Sequence, residues 1–354
     1  MFLVGKATRR RSLCLACWVL DPERKGTNMR KILAVLAAAS VLIVGGCGSS
    51  SGDGATSAAS SSTPAAAATR TVEHANGTAE VPEHPQRIVS TSVVLTGTLL
   101  ALDAPVVGSG GSQPDGLGLD SHGWFTHWSS IAEERGVESL YTGGNLDTET
   151  ILAANPDVII VSATGGDSAV DSYEQLNQIA PTLVIDYNSQ DWESVTRQVA
   201  DLLNLTEKAD SVLAEFDTFA AEAQAKIQPP AAPVNIAVYN GEQGLSVGLP
   251  TAPQALILQK LGIPVADTGV EPEAGRKDFA FTSPEQAVTY LKADEMLLVG
   301  NEQSDVDTLL QDERFTTIPS VQGKQVKPLG LASFKLDYYA AKELVDNAVA
   351  AYPK

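Results

Sequence analysis

The chain has 354 residues, with 24 Lys and Arg against 43 Asp and Glu, and a formal charge of −19. An acidic surplus of that size excludes the basic footprint that nucleic acid requires, so no nucleic-acid partner is expected. It also means that any anionic ligand must be held by a few local cations.

The first readable segment begins at Met29. Arg30 and Lys31 form a basic start, Ile32–Val44 is an apolar run, and Gly45, Gly46 and Cys47 close it. The run has the length of a signal-peptide core and is short for a membrane span. Small residues before a cysteine at that place make a lipobox pattern, so residues 29–46 are expected to be a lipoprotein signal and Cys47 the lipidated first residue. Residues 1–28 precede this signal and carry Arg9–Arg11 and the Cys14/Cys17 pair. They are read as a start-site artefact, and a single CxxC without a second pair is a weak metal or redox signal. Removing the first 46 residues takes away eight basic and two acidic ones, leaving 16 against 41 and a formal charge of −25. Residues 47–70, rich in Ser, Ala, Gly and Thr, are read as a flexible tether to the membrane. No cysteine follows Cys47, so the domain must be held by its core and not by disulfides.

The remaining ~285 residues are large for one core, and two lobes are expected. Asn76-Gly77 between β-like runs in Thr71–Pro82 signals a hairpin. Strands are predicted at Arg87–Ser90, Pro105–Val107, Asp157–Val161 and Leu183–Ile185. Helices are predicted at Val93–Leu102, Thr148–Ala154 and Ser172–Ile179. This alternation predicts an α/β lobe over 71–205 with a mostly parallel sheet. Asp191–Leu203 is an amphipathic helix. A second runs over Thr206–Ile227, with Thr206 as its N-cap and Val212, Leu213, Phe216 and Ala220 on one side. At 1.5 Å per residue it spans about 33 Å, and residues 206–228 are read as the link between lobes. A second α/β lobe follows over 229–354, with strands at Val234–Tyr239, Pro264–Ala266 and Glu295–Val299. Its helices are predicted at Ala252–Leu261, Pro284–Leu291, Val306–Gln311 and Lys335–Ala351. The lobes echo each other: Leu146–Glu149 opens a helix leading to Pro156-Asp157 and a strand, and Phe281–Glu285 opens one leading to Ala293-Asp294 and a strand. The fold expected is therefore two α/β lobes joined by one long helix, with a cleft between them and a monomeric state.

Four stretches carry a family resemblance: Arg87–Val93, Ser162–Ala169, Gln178–Leu183 and Ser333–Tyr339. On these the chain resembles the helix-hinged substrate-binding proteins of ABC importers for siderophores, haem and cobalamin, and is most similar to the ferric-enterobactin-binding group. The resemblance implies a ferric siderophore of catecholate type as ligand, with iron held by the siderophore, no protein metal ligands and no cofactor. It also implies ABC permease subunits as partners. A ferric tris-catecholate carries about three negative charges on an aromatic body, which suits cations able to make charge-assisted hydrogen bonds and cation–π contacts. Lys335 in the matched Ser333–Tyr339 segment is the first candidate, followed by Arg276 and Lys277. Relatives carry an Arg in the loop matching Gln113–Asp120 and a Trp at Ser246–Leu249, and this chain has neither. First-lobe contacts would then fall to Ser92, Ser112 or Trp124. Glu149 and Glu285 are expected to dock on the permease, one from each lobe, although each also favours its own helix N-terminus.

Other functions fit less well. Gly244-Leu-Ser246-Val-Gly248 matches a nucleophile elbow, but all four histidines (His74, His84, His122 and His127) precede the serine, and Pro250 follows closely. No catalytic set is expected. Bare-metal binding by His122 and His127 would need further N/O ligands, and the second lobe has no histidine. Haem or cobalamin is the stronger alternative cargo.

Overall fold

The computed structural model describes residues 68–273 and 276–354. The expected signal at 29–46, the lipidation site Cys47 and the Cys14/Cys17 pair lie outside the described residues. The tether was expected to reach residue 70, but strand β1 (Thr69–His74) already begins there and pairs antiparallel with β2 (Gly77–Pro82). His74 faces Gly77, so Ala75 and Asn76 form the turn. Ala75 donates to the carbonyl of Val184, which ties this hairpin to the first lobe.

The first lobe is built on β3 (Ile88–Ser90), β4 (Val106–Gly110), β5 (Glu138–Tyr141), β6 (Val158–Ser162) and β7 (Thr182–Ile185), in the order β5-β4-β3-β6-β7. Every pairing is parallel. Helices α1 (Val93–Ala101), α2 (Thr126–Glu134), α3 (Thr148–Ala153) and α4 (Tyr173–Leu176) make the crossovers. All five residues of β6 are buried, as a continuous apolar run covered on both faces requires.

Helix α5 (Trp192–Leu203) starts at Asp191, whose side chain accepts from Ser194 N, and stops at Asn204 in the left-handed region at φ 59°, as such caps do. The next helix, α6 (Thr206–Gln224), carries the chain to the second lobe. Its N-cap is Leu205 and not Thr206, because Leu205 packs on the first-lobe core and burial decides the corner. Its 19 residues reach about 28 Å.

The second lobe contains β8 (Asn235–Tyr239), β9 (Leu245–Gly248), α7 (Pro253–Lys260), β10 (Phe279–Thr282) and α8 (Pro284–Tyr290). They are followed by β11 (Met296–Leu298), α9 (Gln303–Leu309), α10 (Pro319–Gln322), β12 (Val326–Pro328) and α11 (Tyr338–Ala351). The strand order β10-β9-β8-β11-β12 repeats that of the first lobe position by position. The predicted echo is thus topological: α3 leads into β6 and α8 into β11, each the strand beside the central one. One strand breaks the symmetry. A tight loop replaces the first crossover helix, so β9 runs antiparallel to both β8 and β10, and the sheet is mixed. Gly244 holds φ +98° in that loop, a backbone state that suits glycine. The predicted strand at Pro264–Ala266 is a single bridge, Val234 to Val265.

The lobes are fastened by more than α6. Helix α11 packs against α6 and α7 and also against α1 and α2 of the first lobe. Its N-cap, Asp337, accepts from Ala340 N and lies 3.3 Å from His127 Nε2 on α2, with both side chains 4% exposed. Gly97 on α1 faces the same carboxylate, and a Cβ there would overlap it.

Candidate ligand-binding site

Parallel α/β sheets place their ligands beyond the carboxyl ends of the strands, where the strand order reverses. In the first lobe that point lies between β3 and β6. A cavity of about 110 Å³ opens there, lined by Thr91, Gly111, Ser112, Tyr141, Asp167 and Ser168 among others. A complete small-molecule site occupies about 300–1,000 Å³, so this cavity is too small to be one by itself.

The wall is fixed by its own hydrogen bonds. The Tyr141 hydroxyl donates to the Thr91 carbonyl at 3.0 Å. One carboxylate oxygen of Asp167 accepts from the Tyr187 hydroxyl at 2.7 Å; the other accepts from the Ser92 hydroxyl and from Val94 N at 3.3 Å. Asp167 therefore sits as a fixed acceptor on the N-terminus of α1, where helix dipole and free N–H groups favour negative charge. Burial pushes its pKa up, against the donors from Ser92, Tyr187 and Val94 and the positive charge of Lys335. Burial also pushes the Tyr141 and Tyr187 phenols upward, and the Asp167 charge adds to both shifts.

The second lobe contributes Lys335, just after the short turn Leu331–Phe334. That turn is held from behind: Gln254 Nε2 donates to the carbonyls of Ser333 and Phe334 at 2.9 and 3.2 Å, and Gly300 N donates to Ser333 Oγ at 2.9 Å. The half-buried Lys335 ammonium donates to Asn188 Oδ1 at 2.9 Å and lies 5.2 Å from the centre of the Tyr187 ring. Burial lowers its pKa; the charges of Asp167 and Asp278 oppose that shift and Arg276 adds to it. Lys335, Arg276 and the Asp167 wall are thus within electrostatic reach of one another.

The remaining sequence candidates fall in unequal places. Ser112 lines the cavity. Ser92 does not: it is fully buried, caps α1 by accepting from Leu95 N, and holds Asp167. Trp124 is a correction, since its ring is 1% exposed and packs on Trp128 and His122 inside the first-lobe core. A large aromatic surface stabilises most when buried. Arg276 lies over the Phe281 ring and is engaged with Asp278 at 2.9 Å and the Phe279 carbonyl at 3.1 Å, which leaves only part of its fork for a ligand. The Lys277 side chain is exposed, and its carbonyl accepts from Thr251. Glu149 and Glu285 are exposed in the first turns of α3 and α8. Glu285 accepts from the Ser283 hydroxyl at 2.8 Å.

The elbow-like Gly244–Gly248 is mostly strand β9, with Ser246 buried and bonded to Asn240, so no strand-turn-helix presents the serine. The His127 side chain is buried, with Nε2 3.3 Å from the Asp337 carboxylate. The sequence reading passed over Asp167, Tyr187, Asn188 and Gln254. Asp167 lies in one of the matched stretches, directly after two glycines at the end of a buried strand, and that position was the available signal.

Comparison with known proteins agrees with this architecture. A model described as periplasmic binding protein matches residues 96–330. The chain belongs to that family. It is 36% identical to the ferric enterobactin-binding periplasmic protein FepB of Escherichia coli O6:H1, over 80% of this chain and 91% of that protein. The crystal structure of holo-ViuP aligns with a TM-score of 0.72 at 30% identity, covering 80% of this chain and 95% of that one. The siderophore-binding protein BauB, bound to two molecules of acinetobactin and ferric iron, shares the fold at a TM-score of 0.58. It is 16% identical, with 80% of this chain and 99% of that one covered. Family and relatives are binding proteins, and FepB works outside the cytoplasm. Among the described residues, no helix is long and apolar enough to cross a membrane.

Proposed function

We propose that this protein captures a ferric catecholate siderophore in the cleft and delivers it to the permease of an ABC importer. The observation that carries the reading is the contact of Lys335 with Asn188 and Tyr187 of the first lobe, beside the cavity-lining Asp167, in a chain 36% identical to a ferric-enterobactin-binding protein. An ammonium beside aromatic rings in a half-buried setting suits a compact aromatic anion. Lys335 is the principal ligand contact, Arg276 and Lys277 are secondary ones, and Ser112 supplies a hydroxyl from the first lobe. The protein acts as a monomer without catalysis or cofactor, and Cys47 anchors it to the outer face of the cell membrane through lipid. Glu149 and Glu285, exposed on topologically equivalent helices, dock one lobe each on the permease.

Titration of the purified domain with ferric enterobactin, followed by tryptophan quenching, tests the cargo, with haem and cobalamin as comparators. Saturable quenching by the catecholate alone is expected. Saturation by haem or cobalamin with none by the catecholate would overturn it. The docking role is separable: Glu149→Ala combined with Glu285→Ala is expected to leave binding unchanged and abolish iron uptake in cells, and normal uptake would remove that role.

A further inference from the structure

Lys335 belongs to the second lobe, yet its ammonium is held by the first. Asn188 accepts one of its protons at 2.9 Å, and the Tyr187 ring lies beneath it at 5.2 Å. Asn188 cannot turn away. Its Nδ2 donates to Thr164 Oγ1 at 3.0 Å, its backbone N–H donates to Asp186 Oδ1 at 3.0 Å, and Thr164 Oγ1 donates to the same oxygen at 3.1 Å. The Tyr187 ring is fixed in turn by its hydroxyl on Asp167. Gly165, at φ +91°, lets that hydroxyl pass, since a Cβ there would overlap it. From the other side, Gln254 grips the two carbonyls before Lys335.

We infer that Tyr187, Asn188 and Asp167 form a preformed cation socket that positions Lys335 for an anionic ligand, with Asp167 as the positioning residue that fixes the Tyr187 ring beneath the ammonium. The inference rests on the reading of Lys335 as a ligand contact. An ammonium has three donors, and among the described residues only Asn188 takes one. Both oxygens of Asp167 are already occupied by Ser92, Val94 and Tyr187, so it acts on Lys335 through its field and does not consume a donor. The charged or titratable groups facing the ammonium are Asp167 and Tyr187 from the first lobe and Asp278 and Arg276 from the second; Asp186 stands behind Asn188. Desolvation disfavours the charged amine, and Asp167 is the first opposing influence.

The socket makes an expectation opposite to simple charge counting. Removing a carboxylate near an anion site should tighten binding if that carboxylate only repels the ligand. If it keeps Lys335 protonated, its removal should instead bring on the alkaline loss of affinity at a lower pH than in wild type, because binding disappears as pH rises through the lysine's pKa. The test is affinity for a ferric tricatecholate from neutral to alkaline pH in wild type, Asp167→Asn and Asp167→Glu. In Asp167→Asn the alkaline loss is expected to begin earlier. At the pH where wild-type affinity has halved, the variant is expected to bind about threefold more weakly, the scale of a partly solvated charge pair. Asp167→Glu is expected to restore the profile. Tighter binding at every pH, or an unmoved alkaline limb, would overturn the proposal.

A ligand-free readout separates the socket from the cargo. The rate of reductive methylation at Lys335, followed by mass spectrometry, is expected to rise at a given pH in Asp167→Asn, and an unchanged rate overturns the socket. If Lys335→Gln binds the tricatecholate as wild type does while this rate still rises, the socket stands and the ligand role of Lys335 falls.

Discussion

The first lobe reaches the cleft from the ends of parallel strands, and its groups there are small or neutral apart from two acids: Gly111, Ser112, Tyr141 and Ser168 around Asp167, with Asp171 nearby. The second lobe meets the first at Lys335, whose ammonium reaches Asn188, with Arg276 within electrostatic reach of it. The same strand order therefore serves different ends. One lobe presents a wall fixed by its own hydrogen bonds, and the other carries the candidate cations. The divergence traces to one connection: β3 is followed by α1, whose N-terminus faces the cleft and fixes Asp167, whereas β8 is followed by a tight loop and the antiparallel β9. The three candidate cations, Lys335, Arg276 and Lys277, all belong to the second lobe, where Asp278 is the acid beside Arg276.

Four substitutions break or sharpen that contrast. The largest effect is expected from Lys335→Glu, which reverses charge at the centre of the second-lobe contribution. Affinity for a ferric catecholate should fall by about tenfold to a hundredfold, measured by fluorescence titration, with little change in melting temperature. Gly97→Leu attacks the seam between the lobes, where a side chain would overlap Asp337. Overpacking of this kind costs about 2 kcal/mol, read from urea unfolding. Ser92→Ala removes the α1 cap and one support of Asp167, and a stability loss of about 1 kcal/mol is expected in the same assay. Arg276→Gln should weaken binding by only about threefold, because Asp278 and the Phe279 carbonyl already occupy part of its fork. An Arg276 effect larger than that of Lys335 would move the centre of positive charge to the other loop.

Much of the fold was legible because buried parallel strands are written as short apolar runs, as at Val158–Ser162, and because α5 and α6 carry amphipathic patterns. The elements that escaped lack that signature. Glu138–Tyr141 is half exposed, Thr126–Glu134 buries only Trp128 and Ala132, and Leu245–Gly248 is too short and glycine-flanked to announce a strand. Lys335 could be singled out because it falls in a matched stretch of a chain with few cations. Asp167 was not, since its meaning comes from Ser92, 75 positions away, and from Tyr187. Trp124 was misplaced because an aromatic residue suits a catechol ligand and a protein core equally well, and only packing tells them apart.

The division of labour between the lobes is tested most directly by calorimetric titration of the purified domain at low and high salt. The two ligands are a triply charged ferric tricatecholate and a neutral ferric trihydroxamate of similar size. Charge supplied by the second lobe predicts tighter binding of the tricatecholate, by about tenfold or more, with an affinity that falls as salt rises. Equal affinity for the two complexes, indifferent to salt, would contradict it.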